Sequence, residues 1–301
     1  MKQLFYICLA LSLLAACQGK GSSTGKEAPG KPRIVVTIEP LRYFTEAIVG
    51  DRFEVASIVP KGASPETYDP APRQLIDLAR SKAYFRIGYI GFEQTWADKL
   101  AENAPHLRFF NLAEGIDLIY DENHAHHHGA HTAESQGVEP HVWCSTANAR
   151  IIAANILKAL HSLDAGHDSL YLARYEALCQ RIERTDSLIR RALSDNRSDT
   201  AFMIYHPALS YFARDYGLHQ IPIEADGKEP TPAHLQELMR LCREEAVHVI
   251  FVQPEFDRRN AELIAGQTGA QIIGINPLAY DWEQEMLHAA RALQRTLNEN
   301  P

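Results

Sequence analysis

Several things are scarce in this chain of 301 residues, and each scarcity excludes something. The apolar stretch Leu4 to Leu14 falls short of the ~20 residues needed to span a hydrocarbon layer of ~30 Å, so it does not read as a membrane span. Positive charge is short as well: 30 Lys and Arg stand against 38 Asp and Glu, a formal net charge of −8. That balance removes the phosphate attraction on which nucleic-acid binding rests, and it suits a cationic ligand. Cysteines number five. Cys8 lies in the apolar start and Cys17 just beyond it, which leaves Cys144, Cys179 and Cys242. An odd number leaves at least one thiol free, with Cys179 and Cys242 as the candidate pair. No His-Glu-x-x-His helix occurs and no general base stands out, which argues against a zinc hydrolase. With 46% hydrophobic and 23% charged residues, the chain can build cores without disulfides.

What is present in excess is histidine in one place. His124, His126, His127, His128 and His131 put five imidazoles within eight residues, between polar, glycine-bearing flanks. A tract this dense cannot be buried, because each ring would need its own partner; exposed, it suits capture of zinc, copper, nickel or iron. It is internal and irregular, unlike a purification tag. The amino terminus carries a second signal. Lys2, the short apolar stretch and Leu14-Ala15-Ala16-Cys17 form a signal peptide whose ending resembles a bacterial lipobox, making Cys17 the lipidated first residue of the mature chain. Residues rich in Gly, Ser and Lys follow as a flexible tether.

Strand and helix patterns alternate twice. The runs Arg33 to Ile38, Phe53 to Val59, Ala83 to Ile87 and Leu107 to Asn111 read as strands, with helices at Leu41 to Val49, Arg73 to Arg80, Phe92 to Asn103 and Thr146 to Leu163. Asp168 to Ser194 then runs without Gly or Pro, a helix of roughly 40 Å. After a polar break the alternation restarts, with strands at Ala201 to Tyr205, His219 to Ile223, Val247 to Val252 and Gln271 to Ile275, and helices at Pro232 to Glu245, Arg258 to Thr268 and Trp282 to Leu297. The expected fold class is α/β: two lobes, each a parallel β-sheet flanked by helices, joined by one long rigid backbone helix, with a metal site in the cleft between lobes. The expected divisions are a signal peptide (1–16), a lipidated tether (17–32), an amino-terminal lobe (33–163, with a His-rich loop at 121–139), a spine (164–197) and a carboxyl-terminal lobe (198–301).

Candidate cleft residues follow predicted strands or precede a helix: Glu66, His141, His206 and Asn276. Glu255 also follows a strand, but Asp257 and Arg258 beside it favour a solvated turn. His161, His167, His234, His248 and His288 lie within helical or strand patterns without acidic companions and read as surface or core residues.

Taken in order, the Leu-Ala-Ala-Cys ending, the His-rich loop, Glu139-Pro140-His141-x-Trp143, Tyr205-His206-Pro207-Ala208 with Tyr211-Phe212, Glu229-Pro230 and Asn276-Pro277-Leu278 form an ordered set. The chain thereby resembles the metal-ion (zinc or manganese) solute-binding proteins of ABC importers, over about Arg33 to the end. The resemblance implies a spine with limited hinge motion and a metal delivered to a membrane permease. It implies His141 and His206 as ligands, and puts Glu66 where the family has a histidine and Asn276 where it usually has an aspartate. An amide oxygen is a poor zinc donor, so water, both oxygens of Glu66 or another acid would complete the set.

The implied protein is a monomeric extracytoplasmic lipoprotein, not an enzyme, that carries Zn2+, with Mn2+ or iron as the alternatives, and has no nucleic-acid partner. The His-rich loop favours zinc, since in the family such loops accompany zinc importers. The rival readings are a zinc-dependent hydrolase, an adhesin or metal store in which only the loop matters, and a cleft adapted to a metal chelate.

Overall fold

Branched residues dominate the first strand, β1 (Arg33–Val36), buried along nearly its whole length as expected at the centre of a parallel sheet. The computed structural model describes residues 30–120, 137–194, 201–225 and 227–295. The expected signal segment, Cys17 and most of the expected tether lie outside the described residues, as do His124, His126, His127, His128, His131 and residues 296–301.

β1 is flanked by β2 (Glu54–Ser57) and β3 (Ala83–Arg86), and β4 (Arg108–Asn111) forms the far edge, giving the order β2-β1-β3-β4 with every pair parallel. Helices α1 (Glu39–Val49), α2 (Pro72–Ala79) and α3 (Gly91–Asn103) make the crossovers, and α4 (Thr146–Leu163) completes the lobe. The second sheet repeats the plan: β5 (Ala201–Ile204), β6 (His219–Pro222), β7 (Val249–Val252) and β8 (Gln271–Gly274) run parallel in the order β6-β5-β7-β8. Strand order therefore reverses between β1 and β3 and again between β5 and β7. Those are the switch points outside whose carboxyl ends α/β proteins form ligand crevices.

Between the lobes runs α5 (Asp168–Ser194), 27 residues long. Its buried face is Tyr171, Leu178, Ile182, Thr185 and Ile189, spaced three, four or seven apart, so one stripe meets the protein while the opposite side stays wet. This stripe packs on α1 and α4 from the first lobe and on α9 (Trp282–Arg295) from the second. One hydrophobic core accordingly runs through both lobes, including Phe44, Trp143, Phe202, Phe251 and Trp282, and the Phe44 and Trp282 rings meet at 5.0 Å between centroids. A satellite core around Met203, Ile223, Leu238, Ile250 and Ile264 serves the outer layer of the second lobe under α7 (Pro232–Glu244) and α8 (Arg259–Thr268).

Two details differ from the sequence expectation. A helix, α6 (Ser210–Tyr216), follows His206 where none was expected. Seven residues are too few to display a helical period, and Gly217 stops it at φ 68°. The candidate pair Cys179 and Cys242 is unpaired, as is Cys144; all three thiols are free.

Candidate metal site

His206 stands just past β5, whose four buried residues hold it at the floor of the crevice. Its ring Nδ1 lies 2.7 Å from Oε1 of Glu224, which follows β6 and is itself buried. From past β7, the amide of Gln253 grips the His206 backbone: its Oε1 accepts from the His206 N–H at 3.3 Å and its Nε2 donates to the His206 carbonyl at 2.6 Å. The Phe256 ring stacks on the imidazole at 5.3 Å and 17°. Three neighbouring strands thus converge on one histidine.

His141 arrives from the other lobe, in the loop before α4. Pro140 precedes it, and the Glu139 carboxylate accepts from the His141 backbone N–H at 3.0 Å and pairs with the ring Nδ1. Tyr211 donates its hydroxyl to the Glu139 carbonyl at 2.9 Å, so the second lobe holds this loop too. The Nε2 atoms of His141 and His206 face each other 3.2 Å apart. With both Nδ1 positions turned to carboxylates, a neutral ring keeps its proton there and leaves the Nε2 lone pair free. Two such lone pairs repel unless a proton or a metal ion lies between them. Two zinc–nitrogen bonds of ~2.0–2.1 Å at a tetrahedral angle separate the nitrogens by about 3.3 Å.

Burial alone would lower the affinity of His141 for a proton, yet Glu139, with Glu66 and Glu224 further off, overrides that and raises its pKa. The same partnership lowers Glu139 against its own burial. The surroundings of the His141 ring therefore attract positive charge.

Glu66 lies in the loop between β2 and α2. Its Oε2 accepts from the backbone N–H of Gly91, the first residue of α3, at 3.0 Å, a favourable seat for an anion at a helix amino terminus. Phe92 N–H holds the same loop through the Pro65 carbonyl at 3.0 Å. Oε1 of Glu66 is buried and has no hydrogen-bond partner. Together with His141, His206, Pro277 and Leu278 it borders a cavity of about 30 Å³. That is room for an ion or a water, an order of magnitude below the ~300–1,000 Å³ of organic-ligand pockets.

The four sequence candidates do not all meet. His141, His206 and Glu66 share this cavity, whereas Asn276 does not line it. The Asn276 side-chain oxygen accepts from the Leu278 N–H at 3.0 Å, and its own N–H donates to Glu285 at 2.6 Å. In its place Glu255 borders the cavity, with a buried Oε1 that also has no partner. Among the described residues no three His, Cys, Asp or Glu side chains already converge as a finished triad. The imidazole pair is preset and the carboxylates stand beside it. Cys144 is buried but does not reach the cavity. His161 and His167, expected to lack acidic companions, sit at 2.5 Å from Asp168 and 3.0 Å from Asp164.

Glu224 and Gln253 have no place in the sequence expectation, and Glu139 enters it only as part of the Glu139-Pro140-His141-x-Trp143 motif. Glu224 and Gln253 carry the same signal as His206, a polar residue directly after a buried strand.

Comparison with known proteins matches residues 34–296 to the family model described as "Zinc-uptake complex component A periplasmic". Among curated proteins, the "High-affinity zinc uptake system protein ZnuA" of Bacillus subtilis is 27% identical over 282 residues, 91% of this chain and 88% of that protein. The "Iron ABC transporter substrate-binding lipoprotein MtsA" of Streptococcus pyogenes is 28% identical over 278 residues, 88% of this chain and 84% of that one. A solved structure of a zinc-bound ZnuA deletion mutant aligns with TM-score 0.80 and 32% identity, over 90% of this chain and 99% of that chain.

Proposed function

This chain belongs to the periplasmic zinc-uptake component A family, and from that membership we propose that it captures a divalent metal ion, zinc foremost, outside the cytoplasm and hands it to an ABC-type membrane permease. It is a solute-binding protein and not an enzyme. The observation that carries the reading is the pair of Nε2 atoms 3.2 Å apart, each ring backed by a carboxylate at Nδ1. Carboxylate–histidine pairs of this kind fix the tautomer and raise the basicity of a metal-binding nitrogen.

In this reading the ion is cargo. His141 and His206 are its nitrogen ligands and Glu66 an oxygen ligand. A relative named for zinc and one named for iron both support metal transport, and the nitrogen pair together with the His-rich tract favours Zn2+ over Mn2+ or iron. Cleavage of the signal after Ala16, lipid on Cys17 and the tether to residue 32 would hold a monomer at the membrane surface near its permease. His124, His126, His127, His128 and His131 would raise the local chance of trapping a scarce ion before it reaches the cleft. The cavity of about 30 Å³ gives no support to hydrolysis of an organic substrate or to capture of a bulky chelate.

Competition titration of Zn2+ and Mn2+ against a chromophoric chelator tests this. His141→Ala and His206→Ala should each lose the tight site, and deletion of residues 124–131 should keep it while lowering stoichiometry. Unchanged affinity in His206→Ala would remove the cleft reading.

A further inference from the structure

We infer that Glu255, and not Asn276, supplies the second oxygen donor to the ion, so that the cargo is held by two imidazoles and two carboxylates. This rests on the metal-capture reading above and adds to it the identity of the fourth ligand and the class of ion that the set accepts.

Five side-chain nitrogen or oxygen atoms are buried without a partner among the described residues, and the two carboxylate oxygens of that group are Oε1 of Glu66 and Oε1 of Glu255. Both border the cavity of His141 and His206. A buried acceptor left unmade costs about 1–3 kcal/mol, more when charged, so two in one small cavity mark a place where a cation belongs.

The backbone around Glu255 is fixed to the site on both sides. Gln253 clamps the His206 main chain through two hydrogen bonds and Phe256 stacks on the His206 ring. A turn closed by the Phe256 N–H and the Gln253 carbonyl at 3.2 Å leaves Glu255 between these two anchors. Its neighbour Asp257 faces outward, where it pairs with Arg259 at 2.9 Å. Asn276 has spent its side-chain oxygen on Leu278 and lines other cavities.

Glu66 comes from one lobe and Glu255 from the other, as do His141 and His206. The ion thus receives one nitrogen and one oxygen from each side, and two carboxylates balance its charge. Among the described residues the carboxylates flank the imidazole pair without forming a triad with it, so both acids close on the ion as it binds. An evenly divided nitrogen and oxygen set also accepts harder divalent ions such as Mn2+ or Fe2+ alongside Zn2+, which a nitrogen-rich set would disfavour.

The test uses the full mature chain with Glu255→Gln, Asn276→Ala and, as a control on the site itself, His206→Ala. Zn2+ and Mn2+ affinities are measured by chelator competition, and Co2+ is added as a spectroscopic probe of coordination. Glu255→Gln should weaken Zn2+ by at least about tenfold, the lower end of the loss caused by removing even an outer partner of a ligand, and weaken Mn2+ by more. It should also alter the position and shape of the visible Co2+ bands as water replaces a carboxylate oxygen. Its metal-free melting temperature should stay level or rise, since the unpaired charge is gone. Asn276→Ala should bind within about twofold of the parent. Parental affinity and an unchanged cobalt spectrum in Glu255→Gln, or a large loss in Asn276→Ala alone, would overturn the assignment. Failure of the underlying metal site would show separately, as full binding by His206→Ala.

Discussion

The indole nitrogen of Trp282 donates to the carbonyl oxygen of Trp143 across 2.7 Å, and the Trp143 indole donates in turn to the Pro277 carbonyl at 2.9 Å. Both rings are fully buried, so each N–H has found its one partner in the opposite lobe. The loop carrying His141 is therefore fastened to the second lobe before any ion arrives. Wide opening of the cleft would break these bonds and expose the shared core. Small-angle scattering of the chain with and without Zn2+ should give the same radius of gyration within error. Trp143→Phe, which strands the Pro277 carbonyl, should cost about 1–3 kcal/mol and loosen metal binding.

Glu139 and Glu224 set the tautomers of the two histidines. Glu139→Gln and Glu224→Gln keep the volume but remove the charge, and each should lower Zn2+ affinity by roughly 10–100-fold while the far-ultraviolet dichroism stays unchanged. Equal affinity in both variants would mean that the ring orientation is set by packing on Trp143 and Phe256 instead.

Gly91 has a different task. A Cβ there would lie 2.4 Å from the Glu66 carbonyl oxygen and 3.0 Å from its Oε2. Because the clash is with backbone, the loop must move. Gly91→Ala should destabilise the chain by about 1–3 kcal/mol and displace Glu66 from the cavity, seen as a rise in the dissociation constant for Zn2+ alongside a lower melting temperature.

Much of this architecture is legible from residue order. Absence of Gly and Pro from Asp168 to Ser194 announces the spine, and buried runs ending in His206 or followed by Glu66 announce the cleft. Less legible is what a polar side chain does on arrival. Asn276 precedes Pro277, and a short amide in that setting bonds its own backbone two residues on, which removes it from the cavity. Glu255 is hidden by the outward Asp257–Arg259 pair next to it, since a charge run cannot say which member turns inward. The carboxylate partners of the two imidazoles come from separate strands and loops, so only tertiary packing reveals them.

Asp186 on the spine accepts from Thr146 at 2.9 Å, from Tyr216 at 2.8 Å and from Arg190 at 2.8 Å, joining both lobes to the rod. Burial would raise its pKa, but these three bonds outweigh it and hold the carboxyl below its usual range. A depressed folded-state pKa means that the contribution is complete above the unfolded value of about 4 and is lost as pH falls through the lower folded value. Asp186→Asn should therefore destabilise the chain at pH 7, and the gap between variant and parent melting temperatures should narrow below about pH 4. A constant gap across that window would show that the charge is not what matters.

In the proposed site one ion sits between His141 and His206. Anomalous diffraction at the zinc edge from zinc-loaded crystals tests it directly. A dominant peak is expected about 2.0–2.1 Å from both Nε2 atoms, with those two atoms close to their present separation of 3.2 Å. A dominant peak elsewhere, with the two rings turned apart, would contradict it.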